Sequence, residues 1–175
     1  MPEKMVVEET KRNYMYMNLY NFHVDGLYIN RILPSDIDNP FFNEWIDIQH
    51  QYIEEYEMVF GEIPIYKIPW FDTDLNGISG IDHITSTVLK GKDVFGIIND
   101  TRCETYEKIE GGYNLILHLP FVKKAEVNLH ESSTDIIIKI GNFKRSIPKP
   151  TTLRNHEIVK AKFDDAMLNI TLLEK

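Results

Sequence analysis

The sequence predicts an α+β protein, with a partial α/β lobe built on parallel strands followed by an antiparallel β-sandwich. Three observations predict it. As far as Leu89, short apolar runs of strand composition alternate with longer runs of helical period, as in crossover units. From Tyr113 onward the apolar period falls to two. Between them, residues 91–112 are charged and punctuated by glycine, the composition of a linker. The expected divisions are therefore 1–90, 91–112 and 113–175.

The first helix is expected from Pro2 to Asn21. Proline suits a first helical position, and Glu3 complements the positive end of the helix dipole. Its second half, Tyr14 to Tyr20, is apolar almost all round, which predicts burial on more than one side. Val24 to Ile32 reads as a strand closed by Pro34. After Pro40, the residues Phe41, Trp45, Ile48, Tyr52, Tyr56 and Phe60 recur at helical spacing and define an expected buried face. Glu44, Asp47, Gln51, Glu54 and Glu55 oppose it, and Gly61 ends the helix. Pro64 to Ile68 is a short strand. Ser79 and Asp82 form a capping-box pattern that opens a third helix reaching about Leu89.

In the second half, Tyr113, Leu115, Leu117 and Leu119 alternate along one face of a strand. Further strands follow at Glu126–Leu129, Asp135–Ile140, Phe143–Ile147, Val159–Phe163 and Met167–Leu173. Gly141-Asn142 and Asp164-Asp165 are the turns between the later ones. Short strands at such spacing predict an all-β sandwich.

Composition sets limits on function. The net charge of −8 argues against nucleic acid as the main partner, because phosphate binding needs concentrated positive charge. No apolar run is long enough for an integral membrane helix, and the N-terminal residues lack the apolar stretch of a leader. Cys103 is the single cysteine and can form no internal disulfide, which with the rest points to the cytoplasm. The six histidines are scattered without metal-ligand spacing, and His50 with Glu54 is too slight a pair to hold a metal. Lys123-Lys124 and Lys144-Arg145 read as solvated faces or as contacts for an acidic partner.

The chemistry-bearing constellation lies at the ends of the two front strands. In an open parallel sheet, ligands sit beyond the carboxyl ends of the strands. Asn30 and Arg31 end the first strand; Pro69, Trp70, Phe71 and Asp72 end the second. An asparagine amide donates and accepts, so it can match the edge of adenine. Trp70 or Phe71 can cover a base face, worth about 1–3 kcal/mol. Asp72 and Asp74 can accept from ribose hydroxyls, or fix their own loop by local backbone bonds. By residue type alone, Asn-Arg is equally a turn with a surface arginine, and Pro-Trp-Phe equally a core lining.

Taken in order, Pro2-Glu3-Lys4-Met5, Asn18-Leu19-Tyr20, Val24-Asp25, Ile29 to Pro34, Gln49, Phe60, Ile68-Pro69 and Leu75-Asn76-Gly77 resemble the C-terminal part of the ArsA family of ATPases. That family includes arsenite-pump ATPases and the ATPase that delivers tail-anchored membrane proteins. Leu117 to Val127, Gly141 to Pro150 and Ala161 to Leu168 resemble its appended small-heat-shock-like module, of the α-crystallin type. The resemblance implies a P-loop-NTPase-like front lobe in which Asn30 and the Pro69–Asp72 loop contact adenine.

The family's P-loop has no counterpart in this sequence, which contains no Gly-x-x-x-x-Gly-Lys-Ser/Thr. Without that cradle, γ-phosphate transfer lacks its electrostatic support. The targeting branch's client-binding helical insert is also missing. Asn39 and Phe42 stand where that branch has its zinc-binding Cys-x-x-Cys, so no metal of the chain's own is expected, and Cys103 alone makes no multi-thiol arsenite site. The expectation is a truncated or split ATPase subunit that makes weak, adenine-side contacts to ATP or ADP. It is inactive alone and completed by a P-loop half or paired as a homodimer. The alternative is a non-catalytic, chaperone-like module that binds a protein client through the β-sandwich.

Overall fold

In the computed structural model, helix α1 (Lys4–Leu19) leads into strand β1 (Leu27–Ile32), helix α2 (Asn43–Val59), strand β2 (Ile65–Pro69) and helix α3 (Gly77–Thr87). Seven strands follow: β3 (Glu104–Ile109), β4 (Gly112–His118), β5 (Val127–Glu131), β6 (Asp135–Ile140), β7 (Phe143–Pro148), β8 (His156–Asp164) and β9 (Met167–Glu174). The structure describes residues 2–99 and 102–175; Met1, in the expected first domain, and Asp100 and Thr101, in the expected linker, lie outside the described residues. The chain forms two units, Met1–Thr10 with Val24–Asp100 and Lys11–His23 with Thr101–Lys175. Residues of α1 are thus shared between them, a division that no contiguous boundary expresses.

In the first unit β1 and β2 pair in parallel, with Leu27 opposite Ile65 and Ile29 opposite Lys67. This two-stranded sheet has two open edges among the described residues. Asn39 starts the approach to α2: its Oδ1 accepts from Phe41 N at 3.0 Å, ahead of a short 3-10 turn that Pro40 opens. The expected face of α2 is buried at Tyr56 and Phe60 and half-buried at Ile48 and Tyr52, but not at its start. Ile46, Gln49, Ile53 and Tyr56 are inside, whereas Phe41 is 71% and Trp45 43% exposed. The cause is Gln49, whose amide bonds Leu33 and so turns its own face inward. A polar residue in the middle of a buried stripe hides that stripe from an apolar pattern.

Helix α3 also starts elsewhere than expected. Asn76 holds the N-cap position with extended backbone and its side chain makes no cap bond, while Ser79 lies inside the helix and donates back to Asn76 O at 3.4 Å. After α3, Asp25 Oδ1 accepts from the backbone N–H groups of Ile98 and Asn99 at 2.9 and 2.8 Å, which ties that loop down beside β1.

In the second unit two antiparallel sheets, ordered β3-β4-β9-β8 and β5-β6-β7, enclose one core. Leu115, Leu117, Ile136, Ile138, Leu168, Ile170 and Leu172 fill it, joined by Met15 and Leu19 from α1. The alternation of these residues along their strands is the two-residue period of the sequence made physical. Met17 is 45% exposed, so the end of α1 is buried on one side only. That end is held by polar contacts. Arg145 Nη1 donates to Leu19 O at 2.5 Å, a cation on the last helical carbonyls, and Arg145 also pairs with Glu104. Cys103 Sγ donates to Asn18 Oδ1 at 3.0 Å, and burial pushes the Cys103 thiol up in spite of the opposing Arg145 charge.

Strand β3 lies within the stretch expected as linker. Its Glu-Thr-Tyr-Glu-Lys-Ile sequence is too polar to show a strand pattern, because it is an edge strand. It turns into β4 through Glu110-Gly111, where Gly111 takes φ +74°. Gly112 must lack a side chain, since a Cβ there would stand 1.9 Å from Leu172 O. The last hairpin turns at Asp165-Ala166, one residue later than expected, with both residues at positive φ. Among the described residues no helix is long and apolar enough to cross a membrane.

Candidate functional site

The site begins with an irregularity in the parallel ladder. Ile29 pairs with Lys67 and Ile32 with Pro69, so Asn30 and Arg31 together face the single residue Ile68. This is a β-bulge, a device that re-aims side chains at a strand end. Arg31 takes φ +59°, a left-handed conformation costly for a residue with a side chain. Asn30 Oδ1 accepts from Arg31 N at 2.8 Å, which holds the bulge and leaves Asn30 Nδ2 as a donor. Pairing resumes where Trp70 N donates to Ile32 O at 2.7 Å.

Behind the bulge stands Gln49, 1% exposed. Its Oε1 accepts from Leu33 N and its Nε2 donates to Leu33 O, both at 2.8 Å. One side chain thus satisfies both backbone groups of Leu33, a buried residue that follows the bulge after Ile32.

The bulge and the loop after β2 border a cleft of about 290 Å³ lined by Asn30, Arg31, Pro69, Trp70, Phe71 and Asp74 among others. Trp70 is half exposed. Phe71 and the His83 ring meet in a T-shaped contact at 4.9 Å, and Trp70 is the more exposed of the two aromatic residues of the loop. Among the described residues the cleft lining carries one cation, Arg31, and one carboxylate, Asp74. Its volume is at the small end for ligand pockets, about 300–1,000 Å³, and suits a planar base rather than a whole nucleoside triphosphate.

Five of the six expected site residues therefore share one cleft. Asp72 does not line it; Asp72 lines a neighbouring hollow with Leu33, Pro34, Trp70 and Phe71. Two residues gain importance from the structure. Asp74 enters the cleft, and its Oδ2 accepts from Asn76 Nδ2 at 2.6 Å. Gln49 shapes the strand end from behind; the sequence signal for it is a lone amide within the apolar spacing of α2.

Known proteins similar to this chain show its family. A family profile described as "Anion-transporting ATPase" matches residues 1–90, and one described as "HSP20-like domain found in ArsA" matches residues 110–172. A protein of Aquifex aeolicus named as an arsenical pump-driving ATPase is 28% identical over 167 residues, covering 93% of this chain and 42% of its own length. A like-named protein of Chlorobaculum tepidum is 28% identical over 174 residues, covering 99% of this chain and 43% of its own. The chain thus spans less than half the length of these relatives. Among solved structures, HSP18.5 from E. histolytica aligns with 41% of this chain and 85% of its own, at 20% identity and a TM-score of 0.33. The front lobe carries part of the ATPase domain, the two antiparallel sheets form the HSP20-like, α-crystallin-type module, and the chain belongs to the anion-transporting ATPase family, ArsA.

Proposed function

We propose that this chain supplies the base-binding side of the nucleotide site of an ArsA-type ATPase and that a P-loop-bearing half completes the site. One observation carries the reading: the bulge at Asn30-Arg31 and the loop at Pro69-Trp70-Phe71 line the same cleft. In it, Asn30 Nδ2 donates to a ring nitrogen of adenine and Trp70 covers one face of the base. Arg31 stands at the rim as the cleft's positive charge. The triphosphate and its magnesium ion fall to the other half, since this sequence holds no P-loop lysine or hydroxyl to bind them. Base contacts alone give affinities no tighter than about millimolar, near −4 kcal/mol.

The surface of the first unit supports a missing partner. A two-stranded parallel sheet is normally extended and covered. Here Ile78 is 78%, Ile81 64% and Phe95 96% exposed, and Phe41 and Trp45 are exposed as well. Large exposed apolar side chains of this kind, where they adjoin, are what an interface covers.

The test is a titration with adenosine followed by saturation-transfer NMR. Weak binding is expected, with the base protons saturated most strongly, and Trp70→Ala is expected to weaken it about tenfold or more. ATP turnover should appear only on mixing with a P-loop half, such as the N-terminal portion of the Aquifex relative. Brisk turnover by the 175-residue chain alone defeats the proposal. Suppression of client aggregation by the chain without nucleotide, together with no adenosine binding, transfers the function to the β-sandwich.

A further inference from the structure

In the second unit, one row of residues across the four-stranded sheet puts opposite charges at its two ends. Glu107 of β3 pairs with Asn114 of β4, Asn114 with Thr171 of β9, and Thr171 with Lys160 of β8. Directly paired residues share one face of a sheet. Here it is the outer face, because Leu115 and Ile170, the sequence neighbours of Asn114 and Thr171, are fully buried on the other side. A bulge brings Lys160 into the row. Ile158 pairs with Leu172 and Lys160 with Thr171, so Val159 is passed over and the lysine takes its place.

Glu107 and Lys160 are exposed, and among the described residues neither enters an ion pair. Lys162, farther along β8, is by contrast held by Asp164 at 2.7 Å. Between the charged ends, Asn114 Oδ1 is buried and has no hydrogen-bond partner. The face therefore has an acidic edge, a basic edge and an uncharged centre with an unmet acceptor.

We infer that the outer face of the β3-β4-β9-β8 sheet is a self-association surface, and that its occupant is the same face of a second copy of the chain. A two-fold axis running along the strands between β4 and β9 lays β3 of one copy over β8 of the other and keeps each row over itself. Glu107 then meets Lys160 of the second copy, and Lys160 meets its Glu107. At the centre Asn114 faces Thr171 of the second copy. With its amide turned outward, the Asn114 oxygen accepts from that hydroxyl. An axis across the strands would set β3 over β3 and bring like charges together, so the charges select one pairing. Four strands about 4.8 Å apart and seven residues long span roughly 450 Å². That is less than the about 800 Å² each partner gives to a standard interface, so the dimer belongs to the weak, concentration-dependent class. The surface lies wholly in the second unit and is independent of the base site.

The experiment is sedimentation equilibrium of the intact chain over a concentration series reaching about 1 mM. A monomer–dimer equilibrium is expected. Glu107→Lys and Lys160→Glu each turn two attractive contacts into two repulsive ones and should weaken the dimer about tenfold or more. Mixing these two variants opposes one copy with two acidic edges to one with two basic edges. The mixture should dimerise about as tightly as the unmodified chain, and so should the double variant Glu107→Lys/Lys160→Glu. Both residues are exposed, so the substitutions leave the core intact. An unmodified chain that stays monomeric throughout the series overturns the inference. So does a dimer that neither single substitution weakens, which would place the contact on another face. Loss of the dimer in both single variants, with no recovery in either the mixture or the double variant, overturns it as well.

Discussion

Replacement of Glu131 by alanine is expected to destabilise the second unit by about 3–5 kcal/mol, read as a lowered denaturant midpoint by circular dichroism. Glu131 pairs with Lys149, whose side chain is only 2% exposed and whose Nζ also donates to His156 O at 2.9 Å. The other carboxylate oxygen of Glu131 accepts from Ile158 N at 3.0 Å. The pair thus joins β5, the segment after β7 and β8. Removing the carboxylate strands an ammonium away from water, and desolvation makes an unpaired buried charge costly. Lys149→Met is expected to cost less, because the Glu131 side chain is 24% exposed and water can reach the carboxylate left behind. The double variant Glu131→Leu/Lys149→Met should recover much of the loss, since neither charge then remains unpaired. Equal losses for the two single variants would refute the asymmetry.

The same pair sets an acid dependence. Burial tends to raise the Glu131 carboxyl, but hydrogen bonds from Lys149 and Ile158 N and the charges of Lys149 and Lys175 more than offset it. The group therefore sits below its ordinary value of 4.5. For a carboxyl depressed by folding, the stabilisation is present above the unfolded value and is lost as pH falls through the folded one. The stability advantage of the unmodified chain over Glu131→Gln should therefore be constant at neutral pH and narrow below about 4.5. An advantage that widens on acidification would contradict the assignment.

What was legible in the sequence follows from how each element is buried. The strands of the second unit show a two-residue period because one face of each lies against a single core; Leu115, Leu117 and Leu119 are all fully buried. Strand β3 escaped because an edge strand, half exposed and rich in charge, carries no apolar alternation. The face of α2 is as expected at Tyr56 and Phe60 and differs at its start for the opposite reason. The exposed Phe41-Trp45 stripe is apolar, and apolar exposure means an unmet interface rather than a core. The two strand ends of the cleft were readable because they carry turn and aromatic residues in sequence. The bulge that brings Asn30 and Arg31 toward Trp70 depends on register and on a left-handed Arg31, neither of which any local pattern reports. Asp72 and Asp74 are of like kind and two residues apart; only the path of the loop separates the residue that lines the cleft from the one that does not.

Gln49→Ala is expected to destabilise the first unit by about 2–4 kcal/mol, because it leaves the N–H and C=O of Leu33 without partners in a site 3% exposed. Both tryptophans, Trp45 and Trp70, belong to this unit, so their fluorescence reports its unfolding directly. Gln49→Glu separates the hydrogen bonds from mere packing. A carboxylate at this position can accept from Leu33 N but cannot donate to Leu33 O, and it brings a buried charge against a carbonyl oxygen. At neutral pH this variant should be at least as unstable as Gln49→Ala. On acidification the carboxyl takes a proton and can donate again. Folding raises the affinity of that group for its proton, so stability relative to Gln49→Ala should rise as pH falls through the raised value. Because Leu33 follows the bulge, the same variants should loosen the cleft and weaken adenosine binding without touching the base. A Gln49→Glu variant whose stability shows the same pH profile as Gln49→Ala would mean that the two bonds to Leu33 do not hold the strand end.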